Sequence, residues 1–331
     1  MLGLRWSVAL TAAATGVVCL ASAALAADLM SVKAPPPPPE EPLDIHGFVD
    51  VTFANDYITP RGLLVTNTGL TTQVLSGLAL DLYKDKSAWL NEVTISAGVW
   101  NDLWSDQNDP HVGPWNEFDW FVGMDLVFAK NWDFGVQYVD FIPPAHDLIT
   151  SFPSVESNIQ FSLSYDDSSW GSPIPLHPYA KLFYEISGPS TVVLGDKGNT
   201  YDVELGIVPT LDTNKFTGIP LVITALTWVT VGPTTYWNSG AAPCGPSICS
   251  SSNFGVFATG LEGKLALSVV PKRLGNWYVK AGARYYYLIN DALLGAQVFT
   301  GTAGGASGVL GTFADAHRDV GLFYTGFGLN F

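Results

Sequence analysis

From Ile45 onward the chain alternates apolar and polar side chains with a period of two, in short segments separated by clusters of Gly, Pro, Asn and Asp. Successive side chains of a strand point to opposite faces, so this pattern predicts strands with one apolar and one polar face. About twelve are expected. In the first half they span Ile45–Ile58, Gly69–Leu82, Leu90–Leu103, Asn116–Phe128, Trp132–Phe141 and Ser154–Tyr165. In the second half they span His177–Ile186, Thr200–Leu211, Ile219–Val231, Phe254–Val270, Trp277–Asn290 and His317–Phe331. The ninth, through Leu221–Leu226, is apolar on both faces, and alternation does not orient it.

Two features favour a membrane barrel over a soluble sandwich. Connections alternate between short turns, such as Ala129–Asn131 and Pro271–Gly275, and long ones, such as Gly232–Asn253 and Asp291–Ala316. With the N-terminus on the periplasmic side, every long loop is expected outside. Aromatic residues also collect at strand ends, as two interfacial girdles would require. Tyr83, Trp89, Trp132, Tyr165 and Trp277 mark one, and Tyr57, Trp104, Trp115, Tyr236 and Trp237 the other. The last strand places Phe323, Phe327, Leu329 and Phe331 on one face and ends on Phe331, a signal of the kind that barrel-assembly machinery reads. The fold class is therefore all-β, a transmembrane antiparallel up-and-down β-barrel over 45–331.

Composition agrees. The 331 residues are 47% hydrophobic but only 14% charged, against roughly 25% in an ordinary soluble domain. Yet past the N-terminus no apolar run approaches the roughly 18 residues of a spanning helix. Disorder is excluded by the hydrophobicity, and nucleic-acid binding by a net charge of −15 without a basic stripe.

The one long apolar run, Trp6–Ala26, follows Arg5 and ends in Ala24-Leu25-Ala26, which predicts a signal peptide over 1–26 cleaved between Ala26 and Ala27. Residues 27–44, with Pro35–Pro39, should form an extended periplasmic tether. Of the cysteines left after processing, Cys244 and Cys249 stand close together, and an oxidising compartment favours a disulfide between them. Localisation is then the outer membrane of a Gram-negative bacterium, with the lipid bilayer as partner and a monomer as the favoured state.

With the apolar face of the fourth strand set as Phe118, Trp120, Val122, Met124, Leu126 and Phe128, the lumen receives Glu117, Asp119 and Asp125. The same phasing turns Asp81, Glu92, Asp133, Glu156, Asp202 and Glu204 inward, with Lys181 and Glu185, Glu262 and Lys264, and Lys280 and Arg284. Charges on the lipid face cost a few kcal/mol near the midplane, so their confinement to one parity supports it. Bases on the tenth and eleventh strands would face acids on the third to fifth, setting a transverse field across the bore. The alternative is that acid and base pair across the interior and fill it.

Catalysis is not expected. His46, His111, His146, His177 and His317 lie at strand starts or in loops, and no G-x-S-x-G elbow is present. The stretch Asn101–His111 carries carboxylates near a histidine, as an omptin-like protease rim or a calcium loop would. A solvated acidic loop is the favoured reading. No cofactor or metal is expected, and the reading that follows is a channel for passive diffusion of small hydrophilic solutes with weak cation preference. The alternatives are a rim-active hydrolase and a closed structural or adhesive barrel.

The opening strand, Phe48–Gly62, resembles the "SDYVFRG" start of the TorF-type porins of Gram-negative bacteria, through Asn55-Asp56-Tyr57-Ile58 and Arg61-Gly62. Ile95–Asn101, Asn116–Asp119 and Gly135–Phe141 look like the next segments of that family, so roughly the first half of the chain is covered. Thr59-Pro60 carries an extra residue before the Arg-Gly pair, and Ile142-Pro143-Pro144 replaces an aromatic run. The resemblance implies a porin and names no solute.

Overall fold

The computed structural model describes residues 44–105, 114–142, 144, 155–187, 199–237, 252–299 and 313–331. The expected signal peptide with its Ala26–Ala27 cleavage site, nearly all of the proline-rich tether, and Cys244 and Cys249 lie outside the described residues, as do His111 and His146.

Twelve staves close into a barrel. They are β1 (Asp44–Ala54), β2 (Thr71–Lys84), β3 (Leu90–Trp104), β4 (Trp115–Phe128), β5 (Trp132–Ile142) and β6 (Glu156–Tyr165). Then come β7 (Tyr179–Ser187), β8 (Thr200–Ile207, resuming as Thr210–Asp212) and β9 (Leu221–Thr224, resuming as Thr227–Val231). The last are β10 (Phe254–Ala266), β11 (Asn276–Leu288) and β12 (Asp319–Asn330). Each pairs antiparallel with the next, and β12 returns to β1 in the register Asp50↔Gly328. The break in β8 falls at Val208-Pro209, where proline has no N–H to give the ladder. The facing break in β9 is bridged by a hydrogen bond from Ala225 N to Pro209 O, 2.8 Å. Every expected strand is present, with edges shifted by a few residues.

The outward face is apolar. Leu78, Leu82, Trp120, Val122, Met124, Phe323 and Phe327 are all exposed, while Asp119, Leu322 and Tyr324 on the opposite parity are buried. At roughly 25 cal/mol per Å², an apolar surface that encircles a barrel is unfavourable in water and belongs in lipid. At the end carrying Asp44 and Phe331, exposed Tyr83, Trp89 and Trp132 form one girdle, with Trp89 packed on Phe128 at 5.3 Å between centroids. Asn91 ties two turns there: its Nδ2 donates to Ala88 O (2.8 Å) and its Oδ1 accepts from Lys130 N (2.7 Å). Asn91→Ala is expected to cost about 1–2 kcal/mol, read as a lower urea midpoint in lipid vesicles.

The second girdle departs from expectation. Of its five proposed members only Trp115 is exposed; Tyr57, Trp104, Tyr236 and Trp237 are buried. The cause is that Tyr236 and Trp237 form a helical turn, Thr234–Trp237, packed into a buried core, and that two connections at the end opposite Asp44 and Phe331 enter the barrel. In 55–70 the chain turns back and makes a hairpin, Tyr57–Ile58 against Leu64–Thr66, in the barrel mouth. In 289–318 the helix Asp291–Phe299 does the same. Ile58, Leu64, Trp228, Trp237, Val256, Leu288, Leu293 and Leu322 form one buried core between these inserts and the wall. Apolar side chains such as Leu63, Leu64, Leu293 and Leu294 would be left in water outside, and burying them here recovers the hydrophobic free energy.

Polar anchors fix the helix. Asn290 Oδ1 accepts from Ala292 N (3.1 Å), while its Nδ2 donates to Ser252 O and Phe254 O at 3.0 and 3.1 Å. Gln297 pairs with the backbone of His317 through both ends of its amide.

Candidate functional site: the lumen beneath the hairpin

The hairpin descends to a tight turn, Thr59-Pro60-Arg61-Gly62, closed by Gly62 N donating to Thr59 O at 2.9 Å. Gly62 has φ +96°, a value open to glycine and costly for residues with a Cβ. The turn is held by Trp228 Nε1 donating to Pro60 O (3.0 Å) and by Tyr57 Oη donating to Glu117 Oε2 (2.6 Å). Arg61 is thereby carried into the barrel, where it is 4% exposed. Its guanidinium carbon stands 4.7 Å from the ring centre of Phe183 and 5.5 Å from that of Phe141, cation–π distances.

Arg61 meets an acidic wall that the sheet register builds. Trp100 faces Asp119, Asp119 faces Phe141 and Phe141 faces Glu156 across β3 to β6. Asn158, Glu185 and Thr200 align across β6 to β8, with Asp202 opposite Phe183. Burial works against the Arg61 charge; Tyr236 and the carboxylates of Asp202, Glu156 and Glu185 favour it, and the balance raises its pKa above the ordinary value. At the entrance to the hairpin, burial pushes the Asp56 carboxyl up to about 6 against the hydrogen bond it accepts from Asn55.

Below the turn lies a cavity of about 820 Å³. Arg61, Glu117, Asp119, Gln160, Lys181 and Arg284 line it among aromatic neighbours, and it reaches toward His177 near the end that carries Asp44 and Phe331. A smaller recess of about 160 Å³ adjoins Ser96, Asp125, Gln137 and Lys181.

The charged residues singled out from the sequence share the inward register and gather into groups. Asp81 and Glu92 lie at the end that carries Asp44, where Asp81 is 3.0 Å from both His46 and Lys84, and Lys84 is 3.7 Å from Glu92. Glu117, Asp119, Glu156, Glu185 and Asp202 surround Arg61. Lys181 is 3.8 Å from Glu204, which also accepts from Tyr179 Oη at 2.8 Å. Asp125 and Asp133 sit between these, Asp125 beside Gly135. On the far wall Tyr324 Oη donates to Glu262 (2.9 Å), Lys264 lies 4.1 Å over Tyr278, and Arg284 lies 5.1 Å over Tyr324.

Lys280 is 2.5 Å from Asp50, which Tyr278 Oη also supplies with a hydrogen bond at 2.6 Å. Three charged partners, Asp50, Arg61 and Lys84, therefore escaped the sequence reading. Asp50 lies on β1, which offered no other acid at mid-strand, and Arg61 lies in a segment read as strand end and loop. The signal for Arg61 was a charge flanked by Tyr57-Ile58 and Leu63-Leu64-Val65. Apolar flanks of that kind call for burial, and a buried charge calls for partners.

Two clusters of metal-ligating side chains occur among the described residues, Asp44 with His46 and Asp81, and Asp166 with Asp167 and His177. Lys84 already pairs with Asp81 in the first. In the second, Asp167 accepts from Leu176 N and His177 N, each at 2.9 Å, and these backbone bonds hold its carboxyl below the usual range. His46 and His177 thus contact carboxylates.

No family model matches the chain, and no curated protein matches it. Several solved structures are similar at low level. An outer membrane channel from Pseudomonas putida F1 is 9% identical, with a TM-score of 0.40 over 87% of this chain and 94% of that one. Pseudomonas putida OprB is 8% identical, with a TM-score of 0.39 over 88% and 94%. The transport unit of the autotransporter AIDA-I from Escherichia coli is 11% identical, with a TM-score of 0.33 over 92% and 93%.

Proposed function

We propose that this chain is an outer-membrane channel, related to the TorF-type porins, through which small hydrophilic solutes diffuse past the inserted hairpin. The observation that supports it is the pairing of an apolar outer wall with a charged interior cavity of about 820 Å³. A folding core alone does not call for such a cavity; a polar path does. In this reading the termini face the periplasm, Phe331 is offered to the assembly machinery, the protein acts as a monomer, and no side chain performs catalysis. The carboxylates around Arg61 favour cations over anions in the path.

Planar-bilayer recording tests the proposal. Conductance steps with a reversal potential on the cation side of zero in a salt gradient are expected. Silence from both the native chain and a variant with residues 57–66 replaced by a short Gly-Ser link overturns it. Silence would favour a closed structural barrel, the second reading, which the Leu293 and Trp237 core in the mouth supports.

Lys280→Gln with Arg284→Gln is expected to increase cation selectivity, because it removes positive charge from the wall opposite the acids. Unchanged reversal potentials would eliminate the transverse field, leaving Lys280 as the local partner of Asp50.

A further inference from the structure

The hairpin shows which chemistry the lumen accepts, because it places a guanidinium there. Arg61 is stacked near two aromatic rings and faces five carboxylates, those of Glu117, Asp119, Glu156, Glu185 and Asp202. Within the wall, Glu117 and Asp119 are hydrogen-bonded to each other. The two halves of the wall also differ in access: Glu117 and Asp119 line the cavity, whereas Glu156, Glu185 and Asp202 do not. Asp119 is 7% exposed, and its Oδ1 has no hydrogen-bond partner among the described residues. Both carboxylates reach the cavity, which is large enough to hold a small organic ion against them.

We infer that the cavity binds small organic cations, with a guanidinium or primary ammonium group docked on Glu117 and Asp119 beneath Arg61. Trp100, Phe141 and Phe183 supply apolar and cation–π contact to the same group. Lys181 and Arg284 line the cavity as well, so a solute that carries a carboxylate behind its cationic head finds a partner for each end. Basic amino acids have that form. Arg61 shares the wall with the incoming cation and repels it, which sets the affinity lower than the carboxylates alone would give.

This inference deepens the channel reading and is tested apart from conductance, with the full barrel in detergent micelles. Trp100 and Trp228 line the cavity and report occupancy through their fluorescence. Saturable quenching by L-arginine and by agmatine, and none by L-glutamate, is expected. Arg61→Gln should tighten arginine binding by about tenfold, since it removes the competing charge. Asp119→Asn should weaken it by a similar factor. Saturation by glutamate that is lost in Arg61→Gln would make the site anionic and overturn the inference, as would an unsaturable arginine response in the native protein. If Arg61→Gln does not fold, the Asp119→Asn result decides alone. Saturable arginine binding without conductance in any variant would sink the channel and leave the site; conductance without arginine binding would do the reverse.

Discussion

Arg61→Ala is expected to destabilise the barrel by about 3–5 kcal/mol, the usual consequence of removing one partner from a buried ionic assembly. The argument rests on what remains. Asp119, Glu156, Glu185 and Asp202 are each 7% exposed or less, and without the guanidinium they lose their counter-charge in a place that water reaches poorly. The hairpin loses its central anchor in the same step, since Arg61 also contacts Phe141 and Phe183. Arg61→Lys should recover only part of the loss, because an ammonium restores the charge but not the flat contact with the rings. Urea titration followed by tryptophan fluorescence in lipid vesicles measures both variants. A cost of Arg61→Ala below about 1 kcal/mol would place the pair in the class of solvated surface bridges and refute the description of a buried cage.

The staves were legible because lipid and lumen impose opposite demands on alternate residues. On β4 the exposed set Trp120, Val122 and Met124 and the buried Asp119 fall where alternation put them. Even the doubtful ninth strand is present, and its break at Ala225-Leu226 explains why Leu221–Leu226 carried no clear period. What the chain does inside the barrel left a weaker trace. The helix Asp291–Phe299 buries Ala292, Leu293, Leu294, Ala296 and Gln297 on nearly every side, so it has no polar stripe to reveal a helical period. The hairpin fared likewise: Tyr57-Ile58 continue the alternation of β1, and the reversal at Asn55-Asp56 is invisible in a two-residue pattern. Aromatic position misled in the same region. Trp104 ends β3 and Tyr236-Trp237 close a helical turn just past β9, near where girdle residues stand, but they are buried, and sequence spacing alone does not separate those two environments. The one available cue was that Leu63-Leu64-Val65 and Ala292-Leu293-Leu294 are too apolar for connections in water.

Gly62→Val is the second large expected effect, and it separates the hairpin from the barrel. Two costs act at this position. At φ +96° a β-branched residue is strained, at about 1–3 kcal/mol. A Cβ there would also stand 3.0 Å from Leu293, 3.1 Å from Leu288 and 3.2 Å from Val256, and the two further methyl groups of valine have no space in that core, adding about 1–3 kcal/mol. Gly171 provides the control, because it has φ +79° with nothing within 4 Å of its would-be Cβ. Gly171→Val should therefore show the backbone cost alone. Only the Gly62 variant is expected to push the hairpin out of the mouth, since the stave register does not depend on it: β1 pairs with β2 and β12 through residues that precede Asn55. The barrel should stay closed while protease cleaves within 57–66 and conductance rises toward that of the hairpin-deleted chain. Equal behaviour of the two valine variants would mean that the contacts with Leu288, Leu293 and Val256 do not hold the hairpin in place. The constriction would then have to rest on Arg61 and its carboxylates alone.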